Sequence, residues 1–562
     1  TAAIPGPVTE ALHADPGLPE PLDPQAAIAM LPPRAPSVPA VVPAPSLAAP
    51  VPTPPPVAPE SSPVPFGGLD RDALGRAFAA LGRSHGLPAS VVQSVSEAYD
   101  RLAGIPLWTA DGRLTPRADS MLRAIGRADQ HGLSPARFAR LQAALSGTAD
   151  RESREAAGTL LAVAYAREAR GARINPQQVS RLITVTLTLP EPEEVLARVV
   201  AAPDAGLALE AFNPTHPGYL ALKRKLAELG SAPAAEAGRP KLTFGPVLTQ
   251  GMSDARVPIV RDLLGLPPAD TAVFDRTLAD SLKAFQRERG LRASGRLDRA
   301  TTAALGGVPE TEAAVRNPRA DIIANMERWR WLPTELGADH ILVNVPDFRL
   351  MLVQNDAPVW QTRVIVGKPE TQTPVFSHRM QFLVVNPSWN VPPSIALKEY
   401  LPLLQRNPQA LSARGLQVVS RGRVVDPASV DWSKVGRTVA IRQPPGERNA
   451  LGHIKFMFPN QHAVYLHDTP NRSLFANERR AYSHGCVRVQ DPFRLAEAIM
   501  GTDWPERRLR SMVGGGERQI NLPTDLPVHL AYFTTFVDDA GALQSREDLY
   551  GHNRKVKALL GF

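Results

Sequence analysis

The chain has 562 residues, 63 basic and 55 acidic side chains for a net charge of +8, 57 prolines and a single cysteine, a length that suits two to four domains. One thiol excludes an internal disulfide, and no run approaches the roughly 18 apolar residues of a membrane-spanning helix. The basic excess is spread along helical segments without aromatic interleaving, so an anionic cell wall or membrane surface fits the charge as well as nucleic acid does, and no nucleic acid is expected as a partner.

Taken in order, residues 1–66 run through Pro32-Pro33 and Pro54-Pro55-Pro56 with many alanines. Such a segment buries too little apolar surface to offset ordering entropy and reads as a disordered tether. The start at Thr1 fits removal of a targeting segment or trimming of an anchor. Residues 67–240 are helical in pattern, with Ala77, Phe78, Leu81 and Leu160, Val163 at helical spacing. His131 and His216 read there as turn residues, not ligands.

Residues 241–310 form a compact helical bundle. Asp275 caps a helix with Leu278, Leu282 and Phe285 on one face, Gly290 stops it, and after the Gly295 turn Asp298 caps a second helix ending near Leu305. Residues 311–338 then form a connecting helix. From 339 to 562 the period shifts to two, and Ile341–Val345, Thr362–Val366 and Gln381–Val385 read as strands of a mainly antiparallel sheet. A helical pattern returns from Pro393 to about Val419, giving an inserted cap over about 393–437. Val528–Phe536, the turn Asp538–Gly541 and Leu543–Arg546 read as a closing hairpin. The fold class is multidomain α+β: a helical N-terminal unit, a small helical bundle and a mainly β domain with a helical cap.

The chemistry gathers around Tyr482-Ser483-His484-Gly485-Cys486-Val487-Arg488. A histidine two positions before Cys486 and an arginine two positions after it can both favour a thiolate, the form that attacks. Gly485 allows close backbone approach, so the Gly485 and Cys486 N–H groups are candidate oxyanion donors. Asp491-Pro492 reads as the start of a helix running through Ile499. His467 lies upstream, with fifteen residues, 468–482, between it and Ser483. Either His467, across a sheet, or His484, nearby in sequence, can serve as base.

Ser483 can donate to substrate or hold His484, and Arg488 can read a carboxylate as a bidentate fork. Trp389 and Asn390 can contact substrate from the cap, and Tyr482 and Asp468 complete the substrate-binding candidates. His467, Asp468, His484 and Cys486 are permissible zinc ligands, but the spacings of zinc peptidases are absent, so no metal is expected.

His467, the fifteen-residue spacer and Ser483–Arg488 resemble the signature of the YkuD-type L,D-transpeptidase catalytic domain. Asn386–Ile395, Arg448–Gly452 and Phe456–Asn460 are similar to blocks of its large YcbB-like branch. Pro106–Thr109, Gln130–Pro135 and Asn213–Tyr219 resemble that branch's scaffold region. Leu282–Arg287 with Gly290-Leu291 and Gly295–Asp298 resembles a peptidoglycan-binding module.

The resemblance implies that Cys486 is the nucleophile and that His467, oriented by a backbone carbonyl near Asp468, is favoured over His484 as base. It also implies peptidoglycan stem peptides and glycan as substrate, other wall-synthesis proteins as candidate partners, no cofactor, and the periplasm of a Gram-negative bacterium. The implied reaction joins two diaminopimelates with release of D-alanine. Acyl transfer to water or to an envelope protein's amine, and a catalytically silent wall-binding scaffold, are the alternatives.

Overall fold

The computed structural model describes residues 68–102, 105–231, 242, 244–245, 247–254, 256–267, 273–306, 317–433 and 439–562. The expected tether, 1–66, lies outside them, as does the start of the expected connecting helix.

The N-terminal unit is built around helix α1 (Arg151–Ala169). Its sequence is apolar nearly all round, the mark of a helix meant for the centre of a bundle, and it is buried from Glu155 to Ala166. Asp150 caps it by accepting from the Ser153 N–H at 2.8 Å. A Cβ at Gly158 would fall 2.5 Å from the Trp108 indole, so only glycine lets that ring pack there. Phe78, Tyr99, Trp108, Phe138 and Tyr165 complete the core.

Helix α2 (Pro217–Ser231) carries Tyr219, Leu222 and Leu226 onto a neighbouring core. The small bundle follows with helices α3 (Arg276–Glu288) and α4 (Arg299–Ala304), capped as expected by Asp275 and Asp298 at 2.7 and 2.8 Å. Buried Gln286, one position past the expected Phe285, ties the two together by accepting from the Gly295 N–H and donating to Thr301 Oγ1.

Helix α5 (Pro318–Trp329) joins the helical unit to the sheet domain. Its Ile322, Met326 and Trp329 pack with α2 against Ala531 and Phe533, and Trp329 stacks on Phe533 at 4.4 Å. Just beyond it, fully buried Arg330 donates to the His131 carbonyl at 2.7 Å and the Tyr219 hydroxyl at 3.0 Å. His131 and His216 therefore belong to this junction: the first bonds Tyr219 and Lys223, the second the Pro333 carbonyl.

The sheet domain contributes β1 (His340–Asn344), β2 (Arg349–Gln354), β3 (Ala357–Gly367), β4 (Phe376–Val385) and, from the cap, β5 (Trp389–Asn390), β6 (Gln417–Ser420), β7 (Arg423–Val425) and β8 (Val439–Gln443). Then come β9 (Ile454–Met457), β10 (Leu466–His467), β11 (Ala481–Ser483), β12 (Val487–Val489), β13 (Arg518–Ala531), β14 (Thr535–Val537) and β15 (Leu543–Ser545). The main order is β11-β3-β12-β10-β9-β4-β13-β1-β2, and β2 pairs back onto β3, so eight strands close into a ring. Most pairings are antiparallel, but β10–β12, β11–β3 and β13–β1 are parallel.

The insert between β4 and β9 holds the expected helical segments, an α-helix ending at Arg406 and a 3-10 turn over Ser412–Arg414, and adds a four-stranded sheet, β5-β8-β6-β7. The helical pattern thus stops short of Val419: Gly415, at φ +68, turns the chain into β6. The closing hairpin also differs from expectation. Val528–Ala531 belongs to the main sheet, and the β14–β15 hairpin begins only at Thr535. The Phe533 and Thr534 N–H groups leave the ladder for the side chains of Asn344 and Asn325.

Candidate active site

Strands β10 and β12 run parallel in the register Leu466↔Val487 and His467↔Arg488. Leu466 and Val487 are fully buried in the sheet core, and successive side chains of a strand point to opposite faces. His467 and Arg488 therefore share the other face. The ladder continues through the Val487 N–H to the Tyr465 carbonyl, 3.2 Å, which puts Cys486 beside Tyr465 on the same face. The Tyr465 ring meets His467 edge-on at 5.7 Å. Sequence residues 21 apart are thus brought together by one pairing.

His467 is buried, and its Nδ1 lies 2.5 Å from the Asp468 carbonyl. That bond assigns the proton to Nδ1 and leaves Nε2 as an acceptor. Burial, with Arg488 adding its positive charge, pushes the imidazole down to about 3. Burial pushes the Cys486 thiol up to about 11, against the Tyr465 N–H and Arg488, which favour the thiolate. The resting pair is a neutral thiol and a neutral imidazole. The thiol's contact is weak, to the Ala463 carbonyl at 3.9 Å. Arg488 is half-buried, and its Nε has no hydrogen-bond partner.

The loop before Cys486 is pinned from β3 and the turn after it. Lys368 N–H and Thr371 Oγ1 both donate to the Ser483 carbonyl at 3.0 Å, and buried Thr373 Oγ1 donates to the Gly485 carbonyl at 2.8 Å. Gly485 sits at φ +118, which a side chain rarely tolerates. The two threonines were missed in the sequence because nothing local connects them to the cysteine.

Several expected roles change. Ser483 Oγ accepts from the Gly485 N–H at 3.1 Å and donates to the Cys486 carbonyl. It therefore closes its own turn instead of holding His484, and it occupies the Gly485 N–H proposed for the oxyanion. The Cys486 N–H has no acceptor among the described residues. His484 is exposed and bonds Glu399 of the cap at 2.6 Å. Asp468 points its carboxylate to the face opposite His467, where it accepts from the His453 N–H at 3.0 Å. A Cβ at Gly452 would fall 2.4 Å from that carboxylate, so Asp468 is built into the support of the strand.

Trp389 packs into the cap's own core, edge-on to Tyr400 at 6.5 Å. Asn390 pairs with Arg442 and is exposed. The Tyr482 hydroxyl accepts from Asn477 at 2.8 Å. The structure thus brings together Cys486, His467 and Arg488 and places the other candidates around them.

Residues 338–513 match the YkuD family, "L,D-transpeptidase catalytic domain"; residues 93–226 match a "Scaffold domain", and 262–305 a "Putative peptidoglycan binding domain". A curated relative, "Putative L,D-transpeptidase" of Haemophilus influenzae, is 34% identical over 238 residues, 41% of this chain and 48% of the relative. The match thus spans about half of that relative's length. Two solved structures align over 52% and 51% of this chain and 100% of theirs. They are an L,D-transpeptidase (residues 123–326) from Xylanimonas cellulosilytica and a fused Zn-dependent amidase/peptidase/peptidoglycan-binding domain-containing protein from Clostridium acetobutylicum. At 14% and 13% identity and a TM-score of 0.14 each, they carry no argument. The chain carries an L,D-transpeptidase catalytic domain of the YkuD family, joined to a scaffold domain and a peptidoglycan-binding-type domain.

Proposed function

We propose that this chain crosslinks peptidoglycan stem peptides outside the cytoplasm, in the periplasm, through an acyl-enzyme on Cys486. One observation carries the reading: a cysteine, a histidine and an arginine share one face of two adjacent strands inside a matched transpeptidase domain.

Cys486 Sγ would attack the carbonyl between diaminopimelate and the terminal D-alanine of a tetrapeptide stem. The thiol proton passes to His467 Nε2, the S–C bond forms, and the developing oxyanion meets the Cys486 N–H, the donor its loop leaves free. Collapse breaks the C–N bond, His467 returns the proton to the leaving amine, and D-alanine departs. The side-chain amine of a second stem's diaminopimelate then attacks the thioester, giving the direct crosslink and restoring the thiol. Arg488 holds a substrate carboxylate, and the Asp468 carbonyl keeps His467 in the required tautomer. The domain division proposed for this work is scaffold 67–240, wall-binding bundle 241–310 and catalytic unit 339–562 with the cap.

Incubation with tetrapeptide or a carbapenem should add the acyl mass to the intact wild-type protein and nothing to Cys486→Ala. Muropeptide products should then contain the diaminopimelate–diaminopimelate bond. A folded wild type that forms no adduct overturns the reading.

A further inference from the structure

Three adjacent strands place three side chains in one row across the active face. Lys455 of β9 pairs with His467 of β10, which pairs with Arg488 of β12. Lys455 was not singled out in the sequence, where it sits between Ile454 and Phe456, both fully buried. Alternation turns Lys455 away from that core and onto the face of His467. The row continues into Val384 on one side and Ile365 on the other, both buried and apolar.

Lys455 is half-buried, and burial lowers its pKa. Among the described residues it has neither a hydrogen bond nor an ion pair. The acid nearest in influence is Glu517, whose Oε2 accepts from the Ser388 N–H at 3.1 Å. Arg488 is in the same condition, its Nε buried and unpartnered. Some buried cations elsewhere in the protein hold a carboxylate, Arg173 with Glu327 at 2.8 Å and Arg261 with Asp275 at 2.7 Å, and others bond neutral oxygens, as Arg328 does with Asn325 and Asn553 and Arg480 with backbone carbonyls; Lys455 has neither kind of partner among the described residues. Two partly desolvated cations without counter-ions, about 10 Å apart at the backbone across two strand spacings, form a place for anions that arrive from outside.

We propose that Lys455 is a substrate-binding residue, the second arm of a carboxylate clamp that it forms with Arg488 on either side of His467. The inference rests on the transpeptidase reading for its substrate, a donor peptide rich in carboxylates, but not for the clamp itself. It has a consequence for the base. With the clamp empty, two positive charges disfavour an imidazolium between them; a bound carboxylate cancels that repulsion, so His467 gains proton affinity when substrate is seated.

The test uses the full chain with Lys455→Met, which keeps the apolar stem, and Lys455→Arg, which keeps the charge; near-ultraviolet circular dichroism reports on folding. Cys486 is first alkylated with iodoacetate and with neutral iodoacetamide. The clamp requires the wild-type preference for iodoacetate to fall about threefold to tenfold in Lys455→Met and to return in Lys455→Arg. On a stem tetrapeptide, Lys455→Met should raise KM about tenfold while kcat changes little, whereas a tetrapeptide with every carboxylate amidated should react alike with both proteins. An unchanged iodoacetate preference in folded Lys455→Met overturns the proposal, as does an equal loss on the free and amidated peptides. If no stem peptide acylates the wild type, the proposed function fails while the alkylation ratio still decides on Lys455.

Discussion

Glu155 in the scaffold and the Lys455–Arg488 pair on the catalytic sheet are charges taken out of water in opposite ways. Glu155 is fully buried and saturated: Tyr99 hydroxyl, the Leu107 and Thr109 N–H groups and Thr109 Oγ1 all donate to its carboxylate at 2.6–2.9 Å. The two cations on the active face have no side-chain hydrogen bond or ion pair among the described residues. A buried charge that holds four such donors is a structural device, because each donor would otherwise lose its solvation uncompensated. A partly buried charge left unpaired raises the energy of the empty protein and is retained where something else completes it. Stability and function are thus separated by who supplies the counter-ion.

The largest effect should come from breaking the saturated side. Glu155→Ala strands the donors around Trp108 and is expected to destabilise the scaffold by about 3–5 kcal/mol, read as a lower urea midpoint and as lost hydrogen-exchange protection at the Leu107–Thr109 amides. The reverse holds for Arg488→Met. It should leave the urea midpoint unchanged or higher, yet lower kcat/KM on stem peptide about a hundredfold, since a charge-assisted hydrogen bond to a ligand is worth up to about 3 kcal/mol. An Arg488→Met protein that unfolds as readily as Glu155→Ala would erase the distinction.

A pH profile sharpens the contrast further. If the cations waited for the thiolate instead of a ligand, Cys486 would be ionised at neutrality. With the thiol pushed up to about 11 by burial, the thiolate fraction should rise about tenfold per unit, so alkylation by iodoacetamide should climb about a hundredfold between pH 7 and 9. A plateau below pH 8 would show instead that Arg488 and Lys455 already hold a thiolate.

How much of this the sequence disclosed follows from the range of the interactions involved. The caps Asp275 and Asp298 and the helix start at Pro492 were legible because each is settled within a turn. Strands such as Ile341–Val345 were legible from their composition. What pairs with what was not: Lys455 became visible only through the β9–β10 register, a nonlocal fact. The cap's β6 was hidden because Gly415 ends a helical pattern that the apolar spacing alone would have continued. At the site, Cys486 and His467 were marked by their motif, but Ser483 and Gly485 were misread because a turn closed by a serine hydroxyl looks, in sequence, like a serine free for substrate. Asp468 was misread against an available signal, since alternation from His467 already put it on the other face.

The smallest expected effect lies where the two regions touch. Scaffold residues Leu182–Thr184 run beside β4: Val375 donates to the Leu182 carbonyl at 2.9 Å and Thr184 N–H to the Val375 carbonyl at 3.0 Å. Thr184 Oγ1 then meets His462 Nε2 at 2.7 Å, and the His462 ring lies 5.2 Å from Phe376. The next residue, Ala463, is held at φ +50 and supplies the carbonyl that Cys486 Sγ approaches. One hydroxyl of the scaffold therefore stands two residues from the thiol's own contact. Thr184→Val keeps the shape and deletes the bond, at a cost of about 1 kcal/mol, and is expected to change the alkylation rate of Cys486 two- to fivefold, with Thr184→Ser restoring it. A scaffold that only carried the catalytic domain would leave that rate untouched, because the deleted hydroxyl bonds His462, the neighbour of the residue whose carbonyl the thiol approaches.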